Sequence, residues 1–183
     1  MSDRLEAPNT VTVSPSESQA KYQVRFDIGV GGVERIGHAD VLVWVDSLGL
    51  ADHDIPAASP AGAVIAADLT NRSAAAAWVL AHQVRLGRRV SIAVVAAGRD
   101  GSFSAADVLA SGAVVDALVT IGIDFTSPEA AVACASFVNL KNAVAHLFTA
   151  SVDGQSLIAA GERDRVVAAA MVDASDDVRV LKS

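Results

Sequence analysis

The chain is poor in three things, and each shortage narrows what it can be. It has one cysteine, Cys134, among 183 residues, so no internal disulfide can form and a reducing compartment, the cytoplasm, is expected. Cys134 sits in an apolar helical pattern and reads as a small buried hydrophobe rather than a reactive thiol. Aromatic residues make up only 4% of the chain although 52% of it is hydrophobic. Its core must therefore be built from alanine and branched aliphatics. Basic clusters are missing too: 14 Lys and Arg stand against 21 Asp and Glu, for a formal charge of −7. No basic run exceeds Arg88-Arg89, so the electrostatic footprint that binds a nucleic-acid backbone is lacking. No apolar h-region follows Met1, and the longest apolar runs carry a strand or helix period and read as too short to span a bilayer. The expectation is a cytoplasmic protein with neither nucleic-acid nor membrane partners.

What is present is a series of short apolar segments divided by turn residues. Residues 1–20 are polar, contain proline and hold too few large apolar side chains to offset the entropy of ordering, so they read as a flexible N-terminal arm. Residues 21–183 have the length and apolar content of a single globular domain. Tyr22, Val24, Phe26 and Ile28 alternate with polar residues, as in a strand with one buried face, and glycines at 29, 31 and 32 suit a turn. Residues 40–45 then form a continuous apolar strand of the kind covered on both faces in a parallel sheet. A short strand at 63–67, a helix at 73–86 closed by Gly87 and a strand at 90–97 make a right-handed βαβ crossover. Ser104 starts a helix reaching about residue 119. Ser127-Pro128-Glu129 has the cap, proline and acid of another that runs to about residue 149. Short helices at 156–160 and 164–171 and an edge strand at 178–181 follow. This order predicts an α/β layered sandwich, with a mostly parallel sheet and helices on both faces.

In an open parallel sheet, ligands bind beyond the carboxyl ends of the strands. Asp46, Asp68 with Asn71, and Arg99 with Asp100 each follow a predicted strand. Asp46 is either a catalytic or metal-binding carboxylate or the cap of the turn that continues through Ser47 and Gly49. Asp107 is either a functional acid or, in Ser104-x-x-Asp107, the second half of a capping box. Asn71 suits both a phosphate contact at the start of a helix and the cap of that helix. Taken by themselves, Arg25 and Arg35 read as ordinary surface charges. Other patterns are weaker. Gly29-x-Gly31-x-x-Glu34 lacks the third glycine of a dinucleotide fingerprint, and the adjacent ligands of Asp52-His53-Asp54 seldom converge on one ion. His82 and His146 have no evident nucleophile beside them.

Several segments in order resemble the 2-phosphosulfolactate phosphatase family. Residues 22–48, with Asp46 at a strand end, are similar to the family's opening. Residues 69–74 resemble its segment in which an asparagine begins a helix, and residues 94–98 followed by Ala106-Asp107-Val108-Leu109-Ala110-Ser111-Gly112 resemble its strand, acidic turn and helix. Residues 151–157 and Val178-Arg179-Val180-Leu181 are similar to its closing Ser-Gly-x-x-Leu and Val-Pro-Val-Leu patterns. The resemblance implies a magnesium-dependent phosphatase acting on a small sulfonated hydroxyacid, a step of coenzyme M biosynthesis. Carried onto this chain, it implies Asp46 and Asp107 as catalytic acids, Asp46, Asp68 and Asp100 as Mg2+ ligands, and Arg25, Asn71 and Arg99 as contacts for a small anionic phosphate ester.

The departures from the family matter as well. Arg99 stands where the family has the glutamate of Ala-Gly-Glu, putting a cation where a metal ligand is expected unless Asp100 substitutes. Ala106 replaces the first acid of a pair, and the Asn-Gly-Thr loop has no counterpart, as if a central segment were lost. The alternative to an enzyme is a catalytically degenerate relative that binds anions or assembles with other copies. Exposed apolar surface on such a shortened scaffold leads to the expectation of a homodimer.

Overall fold

The computed structural model describes residues 18–50 and 59–183. The expected N-terminal arm, apart from residues 18–20, and the Asp52-His53-Asp54 triplet lie outside the described residues. Five strands, β1 (Val24–Ile28), β2 (Val41–Val45), β3 (Ala63–Ala67), β4 (Ile92–Ala96) and β5 (Arg179–Lys182), form one sheet in the order β1-β4-β2-β3-β5. The first four are parallel, and β5 runs antiparallel to β3. Continuous apolar sequence puts β2 and β4 at the centre, where every residue of both strands is buried. The α/β layered fold expected from the order of segments is the fold observed.

The pleat divides the core in two. Val41, Val43, Val45, Ile65, Ile92 and Val94 face one cluster, while Leu42, Trp44, Val64, Ala93 and Val95 face the other. Helix α1 (Gly29–Ile36) covers the second face through Val33 and Ile36. Six helices gather on the first: α2 (Arg72–Leu86), α3 (Ala105–Thr120), α4 (Pro128–Leu140), α5 (Val144–Ala150), α6 (Val152–Ala159) and α7 (Arg163–Ala169). With so few aromatics, close backbone approach does part of the packing. A Cβ added to Gly112 of α3 would lie 2.0 Å from the carbonyl oxygen of Ala133 in α4.

Three expectations need correction. The glycines at 29, 31 and 32 make a helix instead of a turn. Glycine disfavours helix intrinsically, but tertiary contacts override it here. Arg35 donates through Nε and Nη2 to both oxygens of Asp27, at 3.0 and 2.7 Å, and Gly32 leaves room for the Asp27 side chain. The helix starting at Pro128 does not run unbroken, because a 3-10 turn at Lys141–Ala143 separates α4 from α5. Lastly, Pro128–Ala150 spans 23 residues and holds an 18-residue window with a mean hydropathy of 1.2, which by length and composition alone is enough to cross a membrane. In this fold its α4 portion packs on α3, with Ala130, Ala133 and Phe137 buried.

Because β2 lies between β4 and β3 and all three are parallel, the segments leaving their carboxyl ends emerge side by side. Those segments carry Asp46-Ser47, Asp68 and Gly98-Arg99.

Candidate functional site

The centre of this region is Asp107, on the first turn of α3 and only 5% exposed. Its Oδ1 accepts the backbone N–H of Ser47 at 2.8 Å, and its Oδ2 accepts that of Gly98 at 3.0 Å. One carboxylate thus joins the exits of β2 and β4. Burial pushes the Asp107 carboxyl up to about 7, with the Asp46 and Asp153 charges adding to the rise and the two amide donors opposing it. The amide donors favour the charged form, but removal from water outweighs them.

The capping-box alternative is half realised. Ser104 Oγ accepts the N–H of Asp107 at 3.4 Å, as an N-cap does, but the Asp107 carboxylate turns to the strand ends. Ser104 Oγ also donates to Asp153 Oδ2 at 2.9 Å, and Arg99 Nη1 donates to Asp153 Oδ1 at 3.1 Å. Asp153 is itself buried near the start of α6. Arg99 belongs to a tight turn closed by reciprocal bonds between its backbone and that of Ser102, at 3.0 and 2.8 Å. Only glycine fits at position 98, where φ is +71° and a Cβ would lie 2.2 Å from the Ser102 carbonyl oxygen. That constraint aims the Gly98 N–H at Asp107.

Next to this cluster, a cavity of about 470 Å³ opens over the ends of β2, β3 and β5, lined by Trp44, Asp46, Asp68, Thr70, Asn71, Ser175, Asp177 and Arg179 among others. Asp68 Oδ1 accepts from the backbone N–H and the hydroxyl of Thr70 at 2.7 and 2.6 Å. Asn71 Oδ1 accepts the N–H of Asp68 at 2.9 Å, and its Nδ2 donates to the carbonyl of Asp177 at 2.8 Å. Asn71 occupies the N-cap position of α2 without a side-chain cap bond. Asp173 does that work from a distance, accepting from Ser73 N and Arg72 Nε at 3.0 Å each. Asp46 does take part in the turn after β2, since its Oδ1 accepts the N–H of Leu50 at 3.2 Å. Arg165 of α7 holds the same turn by donating to the carbonyls of Leu48 and Gly49.

The fold therefore brings Asp46, Asp68 and Asn71 to one cavity and puts Asp107 and Arg99 in the adjoining cluster. Asp100 and Arg25 join neither. Asp100 is exposed inside the tight turn, with φ +49°. Arg25 is buried with its guanidinium donating to the carbonyls of Ile36 and His38 at 3.2 and 2.8 Å, where it secures the end of α1. Sequence reasoning missed Asp153, Asp177 and Arg179 as neighbours of the site. Asp153 had a readable signal: Ser151 caps α6 through Gly154 N, and a Cβ at Gly154 would sit 1.9 Å from the Phe148 carbonyl oxygen. An acid between such constrained neighbours is held in one orientation.

Among the described residues, no three or more His, Cys, Asp and Glu side chains gather as a metal cage. Asp46 and Asp68 nevertheless offer hard carboxylate oxygens to one cavity. That donor set fits Mg2+, which is usually held by one or two carboxylates, with water and substrate oxygens completing its shell.

Comparison with known proteins agrees with this scaffold. The family described as 2-phosphosulpholactate phosphatase matches residues 54–183. The match takes in Asp68, Asn71, Arg99, Asp107 and Asp153, and Asp46 lies before its start. No curated protein matches the chain.

Proposed function

Since the chain belongs to the 2-phosphosulpholactate phosphatase family, we propose that it hydrolyses a small phosphate monoester in the cavity at the carboxyl ends of β2 and β3. The observation that carries this reading is the presence of Asp46, Asp68 and Asn71 around one polar cavity. Water adds to phosphorus and the ester P–O bond breaks, giving inorganic phosphate and the alcohol. Bound Mg2+ would offset charge on the transferring phosphoryl group. Asp46 and Asp68 are the side chains that would hold it.

The rest of the chain positions these groups. Asn71 fixes the backbone of Asp68 and ties it to the segment before β5. Asp107 anchors Ser47, and thereby the exit of β2 on which Asp46 stands. Both Asp107 oxygens are occupied by backbone amides, which makes it a positioning residue in this reading and leaves proton transfer to solvent or to groups lining the cavity.

A second reading, an anion-binding relative with weakened catalysis, is favoured by one observation. Arg99, where the family has an acid, is paired with Asp153 and supplies no metal ligand. Phosphate release from a panel of small monoesters, with Mg2+ and then with chelator, separates the two. Chelator-sensitive release supports the phosphatase; binding of the same esters without release supports the alternative.

A further inference from the structure

We propose that Arg165, on helix α7, is a positioning residue for the reaction, setting the orientation of the Asp46 carboxylate through one peptide unit of the turn after β2. This inference rests on the phosphatase reading and adds a residue to it. The peptide joining Gly49 to Leu50 is held at both ends. Its N–H donates to Asp46 Oδ1 at 3.2 Å, and its carbonyl oxygen accepts from Arg165 Nη2 at 3.3 Å. The same nitrogen donates to the carbonyl of Leu48. Because a peptide unit is planar, a guanidinium that fixes its oxygen also fixes the direction from which its N–H meets the carboxylate.

Both sides of this link are anchored in the core. Val166, next to Arg165, and Leu48 are buried in the same apolar cluster on the helix-rich face of the sheet. Glu162 accepts from Arg165 Nη1 at 2.8 Å and so orients the guanidinium. Gly49 has φ +61°, and a Cβ there would lie 2.9 Å from Arg165 Nη2. Glycine therefore permits both the turn and the approach of the guanidinium. Helix α6 braces the neighbouring exit of β4 in a like manner, since its Asp153 accepts from Arg99 and Ser104.

Charge and position predict opposite effects of removing Arg165. A cation close to the carboxylate that would hold Mg2+ opposes the ion by Coulomb repulsion, so loss of its charge alone tightens metal binding. Loss of the hold on the turn weakens it.

Titration of the full chain with Mn2+, which favours the same octahedral oxygen shell as Mg2+, reads that sign by electron paramagnetic resonance without any turnover. Arg165→Met keeps the apolar stem and removes the donors. It should weaken Mn2+ binding about tenfold or more, the scale seen when a group that orients a metal ligand is lost. Arg165→Lys, which keeps the charge without the planar fork, should fall between Arg165→Met and the wild type. With saturating Mg2+, Arg165→Met should lower kcat for a small monoester and leave KM unchanged, as expected when only the transition state loses an interaction. Unchanged or tighter Mn2+ binding in Arg165→Met overturns the inference. If that variant does not fold, wild-type affinity in Arg165→Lys overturns it instead. Phosphate release by the wild type with Mn2+ binding indifferent to Arg165 sinks this inference alone, and Arg165-dependent Mn2+ binding without release sinks the phosphatase reading alone. A wild type that binds no Mn2+ sinks both.

Discussion

Asp107 Oδ1 accepts the backbone N–H of Ser47 at 2.8 Å, across 60 positions of sequence, and so a carboxylate on helix α3 holds the residue next to Asp46. Asparagine keeps the shape but points an NH2 at one of two N–H donors. Asp107→Asn should therefore destabilise the fold by about 1–3 kcal/mol, the cost of a buried donor left unpaired, and should lower kcat by displacing Asp46. Urea denaturation and initial rates check both. Unchanged stability would mean that the bridge between β2 and β4 is not needed.

The raised Asp107 carboxyl also sets a pH dependence. Its folded value of about 7 lies above the ordinary 3.8, so between those values the folded state binds more protons than the unfolded one. The contribution of this group to stability is full below about pH 4 and is lost as pH rises through about 7. Unfolding free energies measured from pH 4 to 8 should show that decline in the wild type and lose it in Asp107→Asn. Matching slopes in the two proteins would contradict the assignment.

Arg99 is paired with a buried acid and does not line the Asp46–Asp68 cavity. Its side chain is 48% exposed, so Arg99→Ala should cost only about 0.2–1 kcal/mol. Arg99→Glu should cost more, because it sets a third carboxylate near Asp153 and Asp107, and adding Asp153→Asn should restore part of the loss. Magnesium affinity should not rise in Arg99→Glu even though this restores the family's acid. A double-mutant cycle by thermal melts and a Mg2+ titration are the measurements.

Local chemistry made most of the scaffold legible in the sequence. Ala63–Ala67 is the predicted strand, Gly87 closes α2 in the left-handed conformation, and Ser104 and Ser127 cap α3 and α4 as their spacing implied. What could not be read depends on distant partners. Gly29–Ile36 is helical because Val33 and Ile36 bury against the second face of the sheet, with Arg35 reaching back to Asp27. The Asp107 carboxylate forgoes the nearby Ser104 amide for two strand ends that only the folded sheet brings together. For the site, strand-end position singled out Asp46 and Asp68 because parallel strands share one exit. Arg25, carried over from the family resemblance alone, stands early in β1 and is spent on the end of α1. Arg179 was hidden because β5 is antiparallel, so its first residue is the one that meets the exit of β3.

The central claim is that Asp46 and Asp68 act together on a phosphate ester. Its most direct test is phosphate release, measured with saturating Mg2+ and again with chelator, for the wild type, Asp46→Asn and Asp68→Asn. The account predicts release by the wild type that chelator abolishes, with a fall of about a hundredfold or more in either variant, the scale on which a group stabilising transition-state charge acts. Release that persists with chelator, or survives undiminished in both variants, would contradict it.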